Sequence, residues 1–242
     1  MRRRSNIFFL RHSRFLESFF LRPVCLLSLY FSASHIALAI SFTGRLTEKR
    51  LDTSLQEELI LKREASELLG KALDYFVSQK YHECLMIMQE LDKHYRLNPR
   101  YKAYLGVCYY YEWDYKQATK YLSEAIPQLT NFSPHERSFY YWADAESHFN
   151  LQQYSEAIPL YQAMLSLCYE NEKPDVHYRL GFCYLFSEQW SEAWNELLKA
   201  QDGYLKHRNT SDVQSRLVQI THMLDGLKPK IVSSVLEELM KK

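Results

Sequence analysis

From residue 65 onward, hydrophobic and small residues recur in four similar segments. Each segment begins with an apolar stripe of helical spacing that contains one small residue. A turn follows, and then a second apolar stripe. The small residues of the four segments are Ala72, Gly106, Ala145 and Gly181. Successive small residues are 34, 39 and 36 positions apart. A nearly constant period of this length predicts stacked helix–turn–helix units that share one core.

Two further positions recur in the same segments. An aromatic residue follows the small residue by three positions, and an alanine lies in the second stripe. These residues are Tyr75, Tyr109 and Tyr184 for the aromatic position, and Ala118, Ala157 and Ala193 for the alanine. His148 departs at the aromatic position and Cys84 at the alanine position. Over residues 65–207 the pattern resembles the tetratricopeptide repeat (TPR) family, which implies an all-α, right-handed α-solenoid of about four repeats.

Turn signals divide the chain. Asn98-Pro99 and Ser133-Pro134 each place a capping side chain before a proline at a first helical position. The predicted division is 1–42, 43–64 (a linker and N-terminal helix), four repeats at 65–98, 99–132, 138–171 and 174–207, and 208–242. The last segment is expected to be a capping helix that ends at Gly226 and Pro229, followed by a short helix.

The first forty residues have a separate character. Six arginines precede Pro23, and residues 23–44 contain no Asp, Glu, Lys or Arg. A basic region, an apolar region and the small residues around Ala37-Leu38-Ala39 are typical of a secretory signal peptide. A retained signal anchor that holds residues 23–42 in a membrane and a buried N-terminal helix are the alternatives. The first two predict an exported protein, since positive residues stay inside, whereas the third predicts a cytoplasmic one.

Composition narrows the function classes. Thirty basic and 29 acidic residues give a net charge of +1, which argues against a nucleic-acid partner. The chain contains no Gly-x-Ser-x-Gly, P-loop or dinucleotide motif. Its nine histidines are scattered, and no Cys/His spacing is typical of a metal site. We therefore expect no enzyme activity, no cofactor and no metal.

Individual polar residues have simple structural interpretations. His148 lies at a core position of its repeat, and His135 and Glu136 lie where helix capping accounts for them. Cys84, Cys108 and Cys183 fall at helix positions spaced like small buried residues. Because Cys108 and Cys183 are equivalent positions two repeats apart, buried thiols are favoured over disulfides.

The resemblance to TPR proteins also implies where a partner binds. In that family the first helix of each pair lines a concave groove that receives a partner segment. The groove positions are Leu69, Phe76, Tyr104, Tyr110, Tyr111, Trp142, Phe149, Tyr178, Phe182 and Phe186. This aromatic set lacks the Lys, Asn and Arg residues with which some family members hold a peptide carboxylate, although Arg100 and Arg179 are placed to touch an acidic group. The ring of Trp142 is expected to be partly exposed.

These observations predict a non-enzymatic adaptor, scaffold or assembly factor that captures an apolar segment of a partner protein. The alternatives are a cytoplasmic TPR chaperone that shields an apolar segment of a secreted or membrane protein, and an enzyme on a solenoid scaffold. In another interpretation, the chain's own N-terminal segment or C-terminal helix fills the groove.

Overall fold

The computed structural model describes residues 44–207 and 211–240. This part of the chain is almost entirely helical and contains no β-strand. The signal peptide or membrane anchor predicted over residues 1–42 lies outside it. None of the described helices combines the length and apolar character that crossing a membrane requires. The all-α fold class is confirmed.

Nine α-helices follow one another along the described ranges. They are α1 (Gly44–Val77), α2 (Tyr81–His94), α3 (Pro99–Tyr111), α4 (Tyr115–Ala125), α5 (Pro134–Asn150), α6 (Tyr154–Leu165), α7 (Lys173–Phe186), α8 (Trp190–His207) and α9 (Ser211–Met240). A 3-10 turn, Ile126–Gln128, follows α4. The described residues form two compact units, one made of α1 and α2 up to Tyr95, and one made of α3 to α9. Within them α1 packs on α2, α3 on α4, α5 on α6 and α7 on α8.

The small residues mark the places where paired helices touch. A Cβ atom added to Gly106 would lie 2.7 Å from Cγ of Leu122, and one added to Gly181 would lie 2.8 Å from Cγ of Leu197. Ala72 and Ala145 are completely buried. Both glycines therefore occupy contacts too close for a side chain, as the repeat register predicts.

The turn inside each helix pair has the same backbone geometry. One residue in each turn has a positive φ angle, and each lies seven positions after the small residue of its repeat. These residues are Gln79 (60°), Trp113 (64°), Gln152 (61°) and Glu188 (59°). The left-handed conformation reverses the chain within three residues. None of the four is glycine, so each turn carries a backbone cost that the packing of its two helices must offset.

The predicted caps are present. The Asn98 side-chain oxygen accepts a hydrogen bond from the backbone N–H of Tyr101 at 3.1 Å. The Ser133 hydroxyl accepts one from the N–H of Glu136 at 3.2 Å. Pro99 and Pro134 occupy the first helical positions behind these caps, where the missing N–H leaves no intrahelical bond unmade.

The predicted end of the capping helix at Gly226 and Pro229 is wrong. Helix α9 runs through both residues as one element, Ser211–Met240. Its apolar stripe continues beyond the expected end, since Leu224 and Leu227 are buried in one core cluster and Ile231 packs against it. Burial of these side chains outweighs the low helix propensity of glycine and proline at exposed positions.

Candidate functional site

The two predicted groove residues of the first unit lie on α1. Phe76 is completely buried, and its ring meets Tyr81 of α2 edge to face with the centroids 5.7 Å apart. Leu69 is half-buried. Phe76 is therefore a core residue of the α1–α2 pair, and its packing on Tyr81 accounts for its aromatic character.

The remaining predicted residues lie on the first helices of the second unit's pairs, α3, α5 and α7, which we call the inner helices. Between α3 and α5, three of them (Tyr110, Tyr111 and Trp142) form a group with Phe139, which was not predicted, and we call this group the buried cluster. The Trp142 ring lies 5.1 Å from Tyr110 and 6.0 Å from Phe139. Tyr110, Phe139 and Trp142 are all buried, whereas Tyr111 is half-buried.

The expectation that Trp142 is partly exposed is wrong, because only 4% of its surface reaches solvent. Tyr104, another predicted groove residue, is also buried and lies against Tyr140 of α5. Large rings from both inner helices fill the space between α3 and α5. Apart from the half-buried Tyr111, this half of the predicted groove therefore consists of core side chains.

A second group lies between α5 and α7, and it differs in exposure. The accessible cluster, as we call it, consists of Phe149, Tyr154, Tyr178, Phe182 and Phe186. Phe186 is 48% exposed, and the other four rings are half-buried. Tyr154 stacks on Phe186 at 5.0 Å, and Phe182 and Phe149 lie 6.0 and 6.1 Å from it. Three rings thus meet around one solvent-exposed phenylalanine.

The C-terminal helix reaches one member of this cluster. The Tyr178 hydroxyl donates a hydrogen bond to the side-chain oxygen of Gln219 on α9 at 2.9 Å, and the Arg216 guanidinium lies 5.4 Å from its ring. The chain's own α9 therefore covers the Tyr178 end of the cluster. At the other end, Phe186 remains open to solvent.

Each successive pair of inner helices is also joined by an ion pair whose carboxylate is buried. Arg100 of α3 donates to Glu136 of α5 at 2.8 Å, and the Tyr140 hydroxyl donates to the same oxygen at 2.7 Å. Arg179 of α7 donates to Glu146 of α5 at 2.7 Å, and the Tyr161 hydroxyl donates to the other carboxylate oxygen at 2.6 Å.

The third pair follows the same scheme. Arg216 of α9 bonds Asp175 of α7, which also accepts a hydrogen bond from the Tyr204 hydroxyl at 2.7 Å. In all three pairs a buried carboxylate accepts hydrogen bonds from an arginine and from a tyrosine hydroxyl. A buried carboxylate held in this way keeps its charge compensated, and removal of one partner strands the others.

Sequence reasoning did not find these networks. Helix capping, which the sequence predicts for Glu136, leaves out its main contact, because its carboxylate pairs with an arginine 36 residues away. The expectation that Arg100 and Arg179 touch an acidic group of a partner is not needed to explain them, because they pair with the chain's own Glu136 and Glu146. No local spacing indicates these pairs, because each joins residues that are 33 to 41 positions apart.

The other titratable groups serve packing. His135 lies in the core with its Nε2 atom 3.1 Å from Glu172, so its role exceeds the capping predicted for it. His148 is half-buried, and its Nδ1 atom lies 2.8 Å from the side-chain oxygen of Gln153. Burial raises the pKa of the Asp144 carboxyl to about 7, because the charged form loses hydration there.

Cys84, Cys108 and Cys183 are completely buried, as their helix positions predict. Burial raises the pKa of the Cys183 thiol to about 12, so this thiol stays protonated near neutral pH. Among the described residues, no three histidine, cysteine or acidic side chains come together as metal ligands. The described residues of the site offer aromatic and apolar contacts, and ion pairs with compensated charges lie beside them.

No protein-family model matches the chain, and no curated protein matches it. Solved structures do. A MamA RS-1 double mutant is 15% identical, with a TM-score of 0.53, over 74% of this chain and 96% of that one. MamA from Desulfovibrio magneticus RS-1, residues 41 to the end, is 15% identical with a TM-score of 0.52, over 74% and 97%. MamA AMB-1 is 14% identical with a TM-score of 0.54, over 73% and 93%. The fold is that of TPR-like helical repeat proteins.

Proposed function

We propose that this protein is a non-enzymatic interaction module that binds an apolar segment of a partner protein on its accessible cluster. The observation that carries the proposal is the exposure of Phe186 at the centre of three other rings. Aromatic side chains are frequent anchors of protein interfaces, because they bury a large area and lose little conformational freedom.

The charges beside the cluster favour an apolar partner. Arg179 lies 5.0 Å from the ring of Phe149, but its charge is compensated by Glu146. An acidic peptide would have to compete with that buried carboxylate, whereas an aliphatic or aromatic side chain would add to the rings without disturbing the pair. The fold supports this mode, because TPR-like repeats present their first helices to extended or helical partner segments.

Site-specific photocrosslinking in the native cell tests the proposal directly. Benzoylphenylalanine at position 186 keeps an aromatic ring in place and should form an adduct with the partner. The control carries the same group at Leu205, which is 66% exposed but lies on α8, outside the cluster. An adduct specific to position 186 supports the proposal, and its absence there contradicts it.

Affinity gives a second measure once the crosslinked partner is identified. Phe186→Ala should weaken binding by about 2 kcal/mol, or some thirtyfold, because a central anchor is lost. Leu205→Ala is the matched control and should bind like the wild type. Equal affinities of the wild type and Phe186→Ala would remove the accessible cluster from the interface.

We also propose that the protein acts outside the cytoplasm, in a bacterial envelope or secretory lumen. The support is the arginine-rich start and the uncharged residues 23–44. Protease added to intact spheroplasts, or to sealed vesicles of known orientation, should digest the helical repeats. Digestion only after lysis would favour the alternative of a cytoplasmic TPR chaperone.

A further inference from the structure

The first helix extends far beyond its partner helix. Helix α1 has 34 residues and α2 has 14, which correspond to about 51 Å and 21 Å at ~1.5 Å per residue. Tyr95 directly follows α2, and its hydroxyl lies 3.5 Å from the backbone oxygen of Leu61. Helix α2 therefore ends at the level of Leu61, and α1 continues toward its N-terminus without it.

The protruding part of α1 carries exposed aliphatic side chains. Leu55, Leu59, Ile60 and Leu61 are each more than half exposed, with Leu59 at 65%. Leu55 and Leu59 are one helical turn apart on one face. A helix that leaves such side chains in water gains little from its own propensity and is stabilised chiefly by packing.

The charges of this segment would face opposite charges on a second copy that runs in the opposite direction. Glu57 and Glu58 precede Ile60, and Lys62 and Arg63 follow it. Within the chain, Lys62 pairs with Glu58 at 2.6 Å, and both side chains are mostly exposed. Exposed pairs of this kind are weak and easily exchanged for others.

We propose that a second copy of this chain covers the protruding segment, in an antiparallel helix pair whose twofold axis lies at the level of Ile60. This arrangement sets Glu58 against Lys62 of the second copy and Leu55 against Ala65 of the second copy. Leu59 then lies close to Leu59 of the second copy. A parallel pair would instead place Glu58 beside Glu58 and Lys62 beside Lys62, so the charges select the antiparallel direction.

The twofold symmetry closes the assembly at two copies, because each contact occurs twice in the same interface. The contact is made by side chains of α1 in the first unit, whereas the accessible cluster consists of residues of the second unit. The dimer contact and the partner site proposed above therefore use different residues, and either proposal can fail without the other.

Charge exchange tests the antiparallel pair in the full chain, kept in mild detergent and measured by sedimentation. The wild type should dimerise. Glu58→Lys and Lys62→Glu should each raise the dimer dissociation constant by more than about tenfold, because like charges then meet across the contact. An equimolar mixture of the two variants should form heterodimers again, since every facing pair is once more opposite in sign.

The mixture separates the contact from effects within one helix. The intrachain pair of Glu58 and Lys62 is broken in both variants and stays broken in the mixture, so recovery reports only on pairs between copies. Leu59→Ser should also weaken the dimer, and Leu205→Ser, at an equally exposed leucine of α8, should not.

Three outcomes would overturn the proposal. One is a wild type that stays monomeric up to about 100 µM, a concentration at which even weak specific pairs associate. Another is a mixture that fails to recover. The third is a monomer in which a cysteine introduced by Leu59→Cys is shielded from maleimide, which would show that other residues of the same chain cover the segment.

Discussion

The two halves of the inner-helix surface in the second unit carry similar residues in different environments. Three positions before its small residue, α5 has Trp142, whose indole lies against Tyr110 of α3 and is buried. The same position in α7 holds Tyr178, which bonds Gln219 of α9 instead. Phe149, the counterpart of Tyr110, is left beside the Arg179 guanidinium.

This difference shows that repeat position alone does not make a binding surface. A bulky indole closes the space between α3 and α5, whereas the tyrosine that should close the space between α5 and α7 turns to the next helix. The first half contributes packing energy, and the second retains exposed ring area for a partner. The number and size of the side chains facing each ring decide which outcome applies.

Truncating one ring in each half should distinguish the buried half from the exposed half most clearly. Trp142→Ala should cost about 3–5 kcal/mol of unfolding free energy, because a large cavity forms in a packed core. Phe186→Ala should cost less than about 1 kcal/mol, since nearly half of that side chain already contacts solvent. Denaturant unfolding of both variants measures this, and similar losses would contradict the division into two halves.

The ion pair of Glu146 and Arg179 lies beside the accessible cluster. Glu146→Ala should cost about 3 kcal/mol, because Arg179 and the Tyr161 hydroxyl lose their buried acceptor. The double variant Glu146→Leu/Arg179→Leu should recover much of this loss, as it leaves neither charge behind. A double-mutant cycle gives the coupling, and additive single effects would show that the two side chains do not depend on each other.

Replacing the glycines at the close helix contacts with leucine tests whether both halves depend on the same helix packing. Gly106→Leu and Gly181→Leu should each cost roughly 3 kcal/mol, since even a Cβ would lie under 3 Å from Leu122 or Leu197. Gly226→Ala serves as a control, because a Cβ there meets nothing within 4 Å. An unchanged thermal midpoint for both leucine variants would refute the repeat register.

Much of the fold is predictable from local signals. Gly106 and Gly181 recur in register because two helices touch there, and Asn98 and Ser133 precede prolines because helices begin there. The left-handed turn residues escape prediction, since Trp113 and Glu188 stand where glycine would be the usual signal. The path of α9 through Pro229 also escapes, because it depends on burial of Leu227.

The candidate site was less predictable for a related reason. The register correctly assigns Trp142 and Phe186 to inner helices, but their exposure depends on side chains that are distant in sequence. The pairing of Arg100 with Glu136 likewise joins different repeats. Local periodicity identifies the face of a helix, and only the packed neighbours determine how much of that face stays open.

Two buried carboxylates on α5 extend the comparison to charge. Glu146 is paired with Arg179, whereas the ionisable neighbour of Asp144 is the His148 imidazole at 3.7 Å, and burial raises the pKa of Asp144 to about 7. In the unfolded chain Asp144 ionises near its ordinary pKa of about 4. Below pH ~4 it is protonated in both states and its contribution to stability is fully present. As the pH rises toward 7, only the unfolded state releases the proton, so this contribution is progressively lost.

Asp144→Asn should therefore become more stable than the wild type as the pH rises, because asparagine does not ionise. Between pH 5.5 and 7 the difference in unfolding free energy should grow by about 1.5 kcal/mol, because the slope of ~1.4 kcal/mol per pH unit for one proton falls as folded Asp144 begins to ionise near pH 7. Above pH ~7 it should level off, since Asp144 is then ionised in both states. Denaturant unfolding at several pH values measures the difference. Parallel stability curves for the two proteins would show that Asp144 is charged in the folded state throughout, and the contrast with Glu146 would then disappear.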